Sequence, residues 1–372
     1  MDKKIFRCKN CLNVSTRDRV EFDERGFCNA CQWVEEKKKK VDWKSRWNEL
    51  EEICEQHRGQ GDGFDCIVPV SGGKDGSYVS YMLKHKLGMN PLAVTIRVPL
   101  SDPLGDENLT NFIDSGYSHV LLSPNMEIMR EMNINGFKKF GRPMVGWQTF
   151  VHSAIRRLAI QYKIPLIFFG ENGDVEYGGS SESKNTPLVD VSFSKNTYLS
   201  GTYDEILPID KFSEKEIFWA TFPSEEEIEK HEVKYLHWSY FENWDPYEHY
   251  LVAKEHCGLL EKENGNDGTY TNFAQTDSVL YSLHTYLMYI KLGFNRCTQD
   301  CGIDIRRGAM TREQGLQLVR IYDNHYPSEF MGEFLKYYKM TQDEFDLIID
   351  RHANKDIFEK INSRWMPKYE IE

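Results

Sequence analysis

VPVSGGKDGSYV, residues 68–79, sets two glycines, a lysine and an aspartate directly behind the apolar run FDCIVPV. Gly72 and Gly73 give the backbone conformations closed to other residues and let main-chain N–H groups approach a ligand closely. A helix starting at the turn aims its positive dipole end and unpaired N–H groups into the same space, which favours phosphate. Lys74 adds a mobile positive charge, Ser71 and Ser77 add hydroxyl donors, and Asp75 is suited to carry Mg²⁺ directly or through water. Together these residues describe a nucleotide-phosphate site. Neither G-x-x-x-x-G-K-S/T nor G-x-G-x-x-G fits the turn, so it is neither a Walker loop nor a dinucleotide fingerprint.

Outward from this turn the pattern alternates. CIVPV (66–70), PLAVTIRV (91–98), HVLLS (119–123) and IPLIFFG (164–170) read as strands. Between them, DGSYVSYMLKHKL (75–87), DENLTNFIDSG (106–116) and stretches around 124–140 and 147–162 read as helices. Strands alternating with helices predict an α/β fold with a doubly wound parallel sheet. Ligands bind such sheets beyond the carboxyl ends of the strands, so Ser71–Ser77 and Gly170–Asp174 are expected to converge there.

The 372 residues suffice for a large core plus an appendage, and a hydrophobic content of 40% fits a folded chain. No apolar run approaches the ~20 residues of a membrane span, and MDKKIFRCKN has no signal-peptide core, so a cytoplasmic protein is expected. A net charge of −12 argues against a protein built to grip nucleic acid through many phosphates. The first 60 residues hold 14 Lys+Arg against 12 Asp+Glu, so the acidity lies in the body. The basic run Lys37–Lys40 reads as a solvated face.

Cys8, Cys11, Cys28 and Cys31 form C-x2-C-x16-C-x2-C, the spacing of a zinc ribbon in which two tight turns each present a thiolate pair. All four ligands close the coordination shell, so the zinc is expected to be structural. Cys66 sits in an apolar strand and reads as a small buried hydrophobe. Cys297 and Cys301, four apart in RCTQDC, are read as structural, with assistance to a second metal or cluster as the alternative.

The organisation expected is a zinc ribbon and charged helical linker at 1–60, the phosphate-loop domain at 61–239 and a helical C-terminal lobe at 240–372. The linker VEEKKKKVDWKSRWNELEEICEQHR reads as one charged helix ending at GQGDG, and 171–235 reads as a polar, irregular excursion. SVLYSLHTYLMYIKLGF, TREQGLQLVRIYDNHY and SEFMGEFLKYY carry helical periodicity.

Ser-Gly-Gly-Lys-Asp-Gly-Ser after a strand resembles the PP-loop of the ATP pyrophosphatase superfamily, usually SGGxDS, with Gly76 inserted before the final serine. FGENGDVEYGG (169–179), YFENWDPYEHYLVAKEHCGL (240–259), GTYTNFAQTDSVLYSLHTYLMYIKLGFNR (268–296) and DIRRGAMTREQGLQLVRIYD (304–323) are similar to successive blocks of the N-acetyl sugar amidotransferases. The likeness spans nearly the whole chain, and it implies a sheet of the adenine nucleotide alpha hydrolase-like type. It implies ATP-dependent conversion of a sugar acetamido group to acetamidino, during synthesis of bacterial surface polysaccharide (LPS O-antigen) or nonulosonic acid sugars. The amide oxygen would take AMP, pyrophosphate would leave, and ammonia would then displace AMP. The family more often has small residues where Cys297 and Cys301 stand, a departure that bears on the substrate end and not on the ATP chemistry.

On this resemblance Lys74, the loop N–H groups and Mg²⁺ on Asp75 neutralise the departing pyrophosphate. Glu171 and Asn172 are candidates for nucleotide or metal contacts, with loop capping as the plain alternative. Thr95 and Arg97 lie where adenine would be read, and Gly170 closes the neighbouring strand. Lys291, Asp304, Arg306 and Arg307 are candidates for pyrophosphate or an acidic sugar, against the alternative of helix caps and surface ion pairs. His284 reads as a packed histidine.

No glutaminase apparatus is evident. Residue 2 is Asp, and no Gly-x-Cys-x-Gly elbow occurs. The resemblance therefore implies a class I glutaminase and a cyclase-like subunit as ammonia-supplying partners, with an N-acetylated, nucleotide-linked sugar as substrate. Two other readings stand beside this one: a tRNA thiolase of the same superfamily, favoured by the extra cysteines, and a non-catalytic zinc-ribbon adaptor, favoured by Gly76.

Overall fold

The computed structural model describes residues 5–60 and 62–372. Asp2 and Gly61 of the expected break lie outside them. Five parallel strands form the central sheet: β1 (Cys66–Pro69), β2 (Pro91–Ile96), β3 (Ser118–Leu122), β4 (Leu166–Phe169) and β5 (Lys234–His237), in the order β3-β2-β1-β4-β5. The chain runs from β1 outward through β2 to β3, then crosses to the other flank of β1 for β4 and β5. The order therefore reverses between β1 and β4, which opens a crevice beyond their carboxyl ends.

Alternation within the strands supplies both cores. Ile67, Leu92, Val94, Ile96 and Ile167 face one layer, built on α5 (Met126–Phe140) and α6 (Val145–Tyr162). Cys66, Val68, Ala93, Leu166 and Phe168 face the other, with α2 (Trp43–His57), α3 (Lys74–Tyr81) and Trp238. Burial on both faces is what a parallel sheet requires. α4 (Pro103–Asp114) joins β2 to β3.

Residues 171–235, expected as an irregular excursion, contribute to the first core. Val189, Val191, Leu199, Tyr203, Ile206, Ile217 and Phe222 pack beneath the sheet, and the segment ends in β5. That strand carries no alternating or β-branched run in KYLH, so its pairing with β4 decides its conformation. The expected single charged helix is two, α1 (Asn29–Lys39) and α2, because Asp42 accepts from the Ser45 N–H and caps a new start. The Lys37–Lys40 run is likewise divided: Lys38 to Lys40 are exposed, whereas Lys37 is buried.

The C-terminal region is helical: α8 (Pro246–Cys257) packs on α3, followed by α9 (Leu280–Leu292), α10 (Arg296–Arg307), α11 (Arg312–Tyr322), α12 (Met331–Tyr338) and α13 (Gln342–His352). It closes with a hairpin, β6 (Phe358–Ile361) and β7 (Arg364–Pro367), turned by Asn362 and Ser363 at positive φ. Among the described residues no helix is long and apolar enough to cross a membrane.

The loop after β1 is held by contact as well as by conformation. Gly72 has φ +79°, and a Cβ there would lie 2.4 Å from the Leu109 backbone nitrogen of α4. Gly76 is in the first turn of α3, where a Cβ would meet the Pro69 carbonyl at 2.7 Å. Gly76 is thus needed for α3 to start hard against the end of β1. Gly72→Ala is expected to cost at least ~2 kcal/mol from the strained φ alone. Thermal unfolding followed by circular dichroism would show a melting temperature several degrees lower.

Candidate functional site

The crevice holds a cavity of about 220 Å³ lined by Ser71, Gly73, Lys74, Asp75 and Gly76 from the loop and by Glu171 and Tyr177 from beyond β4. Its far wall is Ala274, Gln275, Asp277, Tyr281 and Arg296, from the C-terminal region. Lys74 is buried, with its ammonium paired to Asp75 and 5.9 Å from the Trp244 ring. The other Asp75 oxygen accepts from His249 Nδ1 at 2.9 Å and Trp244 Nε1 at 3.2 Å. His249, buried on α8, is itself fixed by stacking on Tyr78 at 3.8 Å. Burial opposes the Asp75 charge, but Lys74 and His249 outweigh it and hold the carboxyl well below the usual range.

The two other carboxyls behave oppositely. Burial first, and then the Asp75 charge, push Glu171 up to about 7. Burial with Asp102 nearby pushes Asp277 up to about 6, with Ser71 beside it working the other way. A cavity with three acidic groups, two of them reluctant to ionise, suits a hard cation. Arg296, paired with Asp300 at 2.8 Å, brings positive charge to the same wall.

The expected site residues divide. Ser71, Gly73, Lys74, Asp75 and Glu171 meet in the cavity, and Gly72 backs the loop against α4. Ser77 lies outside it, fully buried in α3 with its hydroxyl unpartnered among the described residues. Thr95 spends its hydroxyl on the Val70 carbonyl at 2.7 Å, and Arg97 is exposed. Gly170 abuts the Asp75 side chain, and Asn172 caps α7 (Gly173–Tyr177) and bonds Ser183.

The C-terminal candidates do not converge. Asp304 accepts from Tyr247 and Tyr270 in a small recess that shares Lys74, Tyr177 and Arg296 with the main cavity. Arg307 lies beside it, 3.5 Å from Asp304 and from Asp245. Arg306 reaches the Glu176 carbonyl at 3.1 Å and faces the ribbon thiols. Lys291 bonds the Phe140 carbonyl, and His284 lines the same separate cavity, held down to about 4 by burial and by the Arg142 and Lys291 charges. Tyr177, Trp244, His249, Gln275, Asp277, Tyr281 and Arg296 were not singled out from the sequence. All seven lie within the blocks that carried the family resemblance, which is the signal that pointed to them.

The ribbon stands behind the site. Its four sulfurs lie within 4.8 Å of one another and all four cysteines are buried. The shortest gaps, 3.4 Å for Cys11–Cys28, 3.7 Å for Cys8–Cys31 and 3.8 Å for Cys28–Cys31, fit a tetrahedron with metal–sulfur bonds of ~2.3 Å. The first pair sits in a turn, as expected. The second opens α1, with Cys28 as its N-cap. The ribbon grips α7: Asn13 donates to the Tyr177 carbonyl, Arg19 pairs with Asp174 at 2.7 Å, and Trp33 and Lys37 both reach Glu176 at 2.9 Å. Leu12 packs on Cys297 and Cys301, which are fully buried and outside the cavity.

Residues 267–370 match the family model for the C-terminal domain of WbpG-like LPS biosynthesis proteins. An uncharacterized protein of Methanocaldococcus jannaschii is 29% identical over 92 residues, 24% of this chain, and the match spans about a third (32%) of that protein's length. Among solved structures, the U34-tRNA thiolase NcsA of Methanococcus maripaludis with its 4Fe–4S cluster is 13% identical, with a TM-score of 0.30 over 72% of this chain and 79% of that one. The class defined is a parallel α/β protein with a glycine-rich loop at the switch point of its sheet. Its C-terminal region is WbpG-like.

Elemental analysis is expected to find one tetrahedral metal ion per chain, and Cys28→Ser is expected to lose it together with several degrees of melting temperature. A second outcome concerns pH. An unfolded Glu171 titrates at ~4.3. Between there and about 7 the folded chain keeps a proton that the unfolded chain has released, so this residue costs stability as pH rises through that window. In buffer free of divalent cations, Glu171→Gln is expected to flatten the fall in melting temperature from pH 5 to pH 8. An unchanged fall would remove Glu171 as its source.

Proposed function

We propose that this protein is an ATP-dependent amidotransferase that converts a sugar acetamido group to acetamidino, in the cytoplasmic synthesis of a bacterial surface polysaccharide or nonulosonic acid sugar. One observation carries the reading. The region similar to WbpG supplies Gln275, Asp277, Tyr281 and Arg296 to the same cavity as the SGGKDGS loop. The glycine-rich loop and the WbpG-like region thus share one chamber.

An amide carbon is a poor electrophile, and its oxygen leaves badly. Attack of the amide oxygen on the ATP α-phosphate breaks the bond to the β-phosphate bridging oxygen, releases pyrophosphate and makes an imidate ester of AMP. Ammonia then adds to the imidate carbon, AMP departs with the former amide oxygen, and loss of a proton leaves the amidine. In this reading Lys74, the Gly73 and Lys74 backbone N–H groups at the start of α3, and Arg296, all on the cavity lining, hold the leaving pyrophosphate. Glu171 and Asp277, together with Asp75, are the residues that would hold Mg²⁺, which when bound neutralises phosphate charge. His249 and Trp244 orient Asp75. Holding the acetamido oxygen in line with the α-phosphate falls to the far wall, where Gln275 and Tyr281 offer hydrogen bonds.

Zinc is the metal proposed for the ribbon. Four thiolates leave no open position, so its part is structural. Ammonia would come from a class I glutaminase and a cyclase-like subunit. The Cys297–Cys301 pair, on which the tRNA thiolase reading would draw, is buried under Leu12 and does not line the cavity.

The test is release of pyrophosphate and AMP from ATP with ammonium and a panel of free and nucleotide-linked N-acetyl sugars. Mass spectrometry should find a product about 1 Da lighter than its amide. Asp75→Asn is expected to lower pyrophosphate release on the order of 10²-fold or more. Undiminished release in that variant would place the chemistry elsewhere.

A further inference from the structure

A second cavity, of about 210 Å³, lies on the other side of α7. It is lined by Arg17 of the ribbon, Arg142 of the α5–α6 junction, and His284, Lys291 and Phe294 of α9 and the turn after it. Tyr177, which lines the loop cavity, also marks the partition: the Arg17 guanidinium lies 6.0 Å from its ring and 5.4 Å from that of Phe294.

The charges here do not balance. Arg19 is neutralised by Asp174 at 2.7 Å. Arg17, Arg142 and Lys291 have no carboxylate within ion-pair distance among the described residues, although the chain carries 58 acidic side chains. Asp18, exposed, is the remaining acid on the lining. Arg142 donates one nitrogen to Gln148 and the Tyr198 carbonyl, while its other terminal nitrogen is buried without a partner. Lys291 uses one of its three donors, on Phe140. Burial lowers Arg17 and Arg142 to about 10, so both stay charged at neutral pH.

Three cations brought from separate parts of the chain into one half-buried cavity repel one another unless an anion joins them. Planar guanidiniums with free N–H groups match phosphate oxygens. Met288, Leu292 and Phe294 add an apolar flank, which suits a phosphate carried on a larger organic body.

We propose that Arg17, Arg142 and Lys291 form a binding site for a phosphate or diphosphate group, separate from the loop cavity and divided from it by α7. The proposal rests on this geometry and not on the reaction proposed above. Two sources share the chemistry: the diphosphate of a nucleotide-linked substrate, and free pyrophosphate.

Calorimetric titration of the metal-loaded 372-residue chain tests it, with inorganic pyrophosphate and with a nucleoside diphosphate as probes. Wild-type protein is expected to bind pyrophosphate at two sites. Lys74→Gln should weaken one of them, and Lys291→Gln or Arg17→Gln should weaken the other on the order of tenfold or more. Tighter binding of the nucleoside diphosphate than of pyrophosphate in Lys74→Gln identifies the carried diphosphate as the ligand, and the reverse identifies the free anion. Thermal unfolding separates a binding role from a structural one. Without anion, Lys291→Gln should melt no lower than wild type, because a repulsion has been removed, and it should lose the rise that pyrophosphate gives. A single pyrophosphate site, abolished by Lys74→Gln and untouched by Lys291→Gln and Arg17→Gln, would overturn the proposal, as would a Lys291→Gln variant that melts lower yet binds as wild type does.

Discussion

The buried ion pair between Lys37 and Glu176 joins the ribbon to the site, and the rest of the arrangement depends on it. Both side chains are more than nine-tenths buried, and the second Glu176 oxygen takes the Trp33 indole N–H. Removing one partner of such a pair costs ~3–5 kcal/mol, because the charge left behind is desolvated and unpaired. Glu176 belongs to α7, a helix of five residues that could not hold its own position in water. Its place is therefore set from behind, by a module built on four buried cysteines whose spacing suits a metal.

That dependence ties the ribbon to the loop cavity although no ribbon residue lines it. α7 presents Tyr177 to the loop cavity and Asp174, through Arg19, to the basic one. Arg306 links the same helix to the ribbon thiols and so balances their charge. The ribbon, α7 and α10 thus form one unit, and the sheet forms another. The loop cavity lies where the two meet.

On the sheet side, the approach of α3 to β1 sets the geometry. Gly76 stands where any side chain would strike the Pro69 carbonyl, so its role is to let the helix start close to the strand. Ser77, one residue on, is carried into the buried face toward α8. The loop consequently presents Lys74, Asp75 and Ser71 to the cavity, while Ser77 stays behind it.

Much of this was legible in the residues. Local patterns specify the four strands with apolar runs, the helices between them, the ribbon spacing and the glycine-rich SGGKDGS turn, because each depends on neighbours in the chain. β5 was not legible, since KYLH becomes a strand only by pairing with β4, and the break at Asp42 was hidden by a continuous charged pattern. The same holds for the site. Lys74 and Asp75 announce themselves, but that His249 and Trp244 seize Asp75, that Asp277 and Arg296 complete the wall, and that Lys37 is buried are consequences of packing between segments up to about 220 residues apart, which no local pattern encodes. The sequence by itself determined most of the elements and the residue types gathered in the glycine-rich loop. Tertiary structure alone decided which charges meet, because electrostatic interaction acts through space and depends on burial, not on distance along the chain.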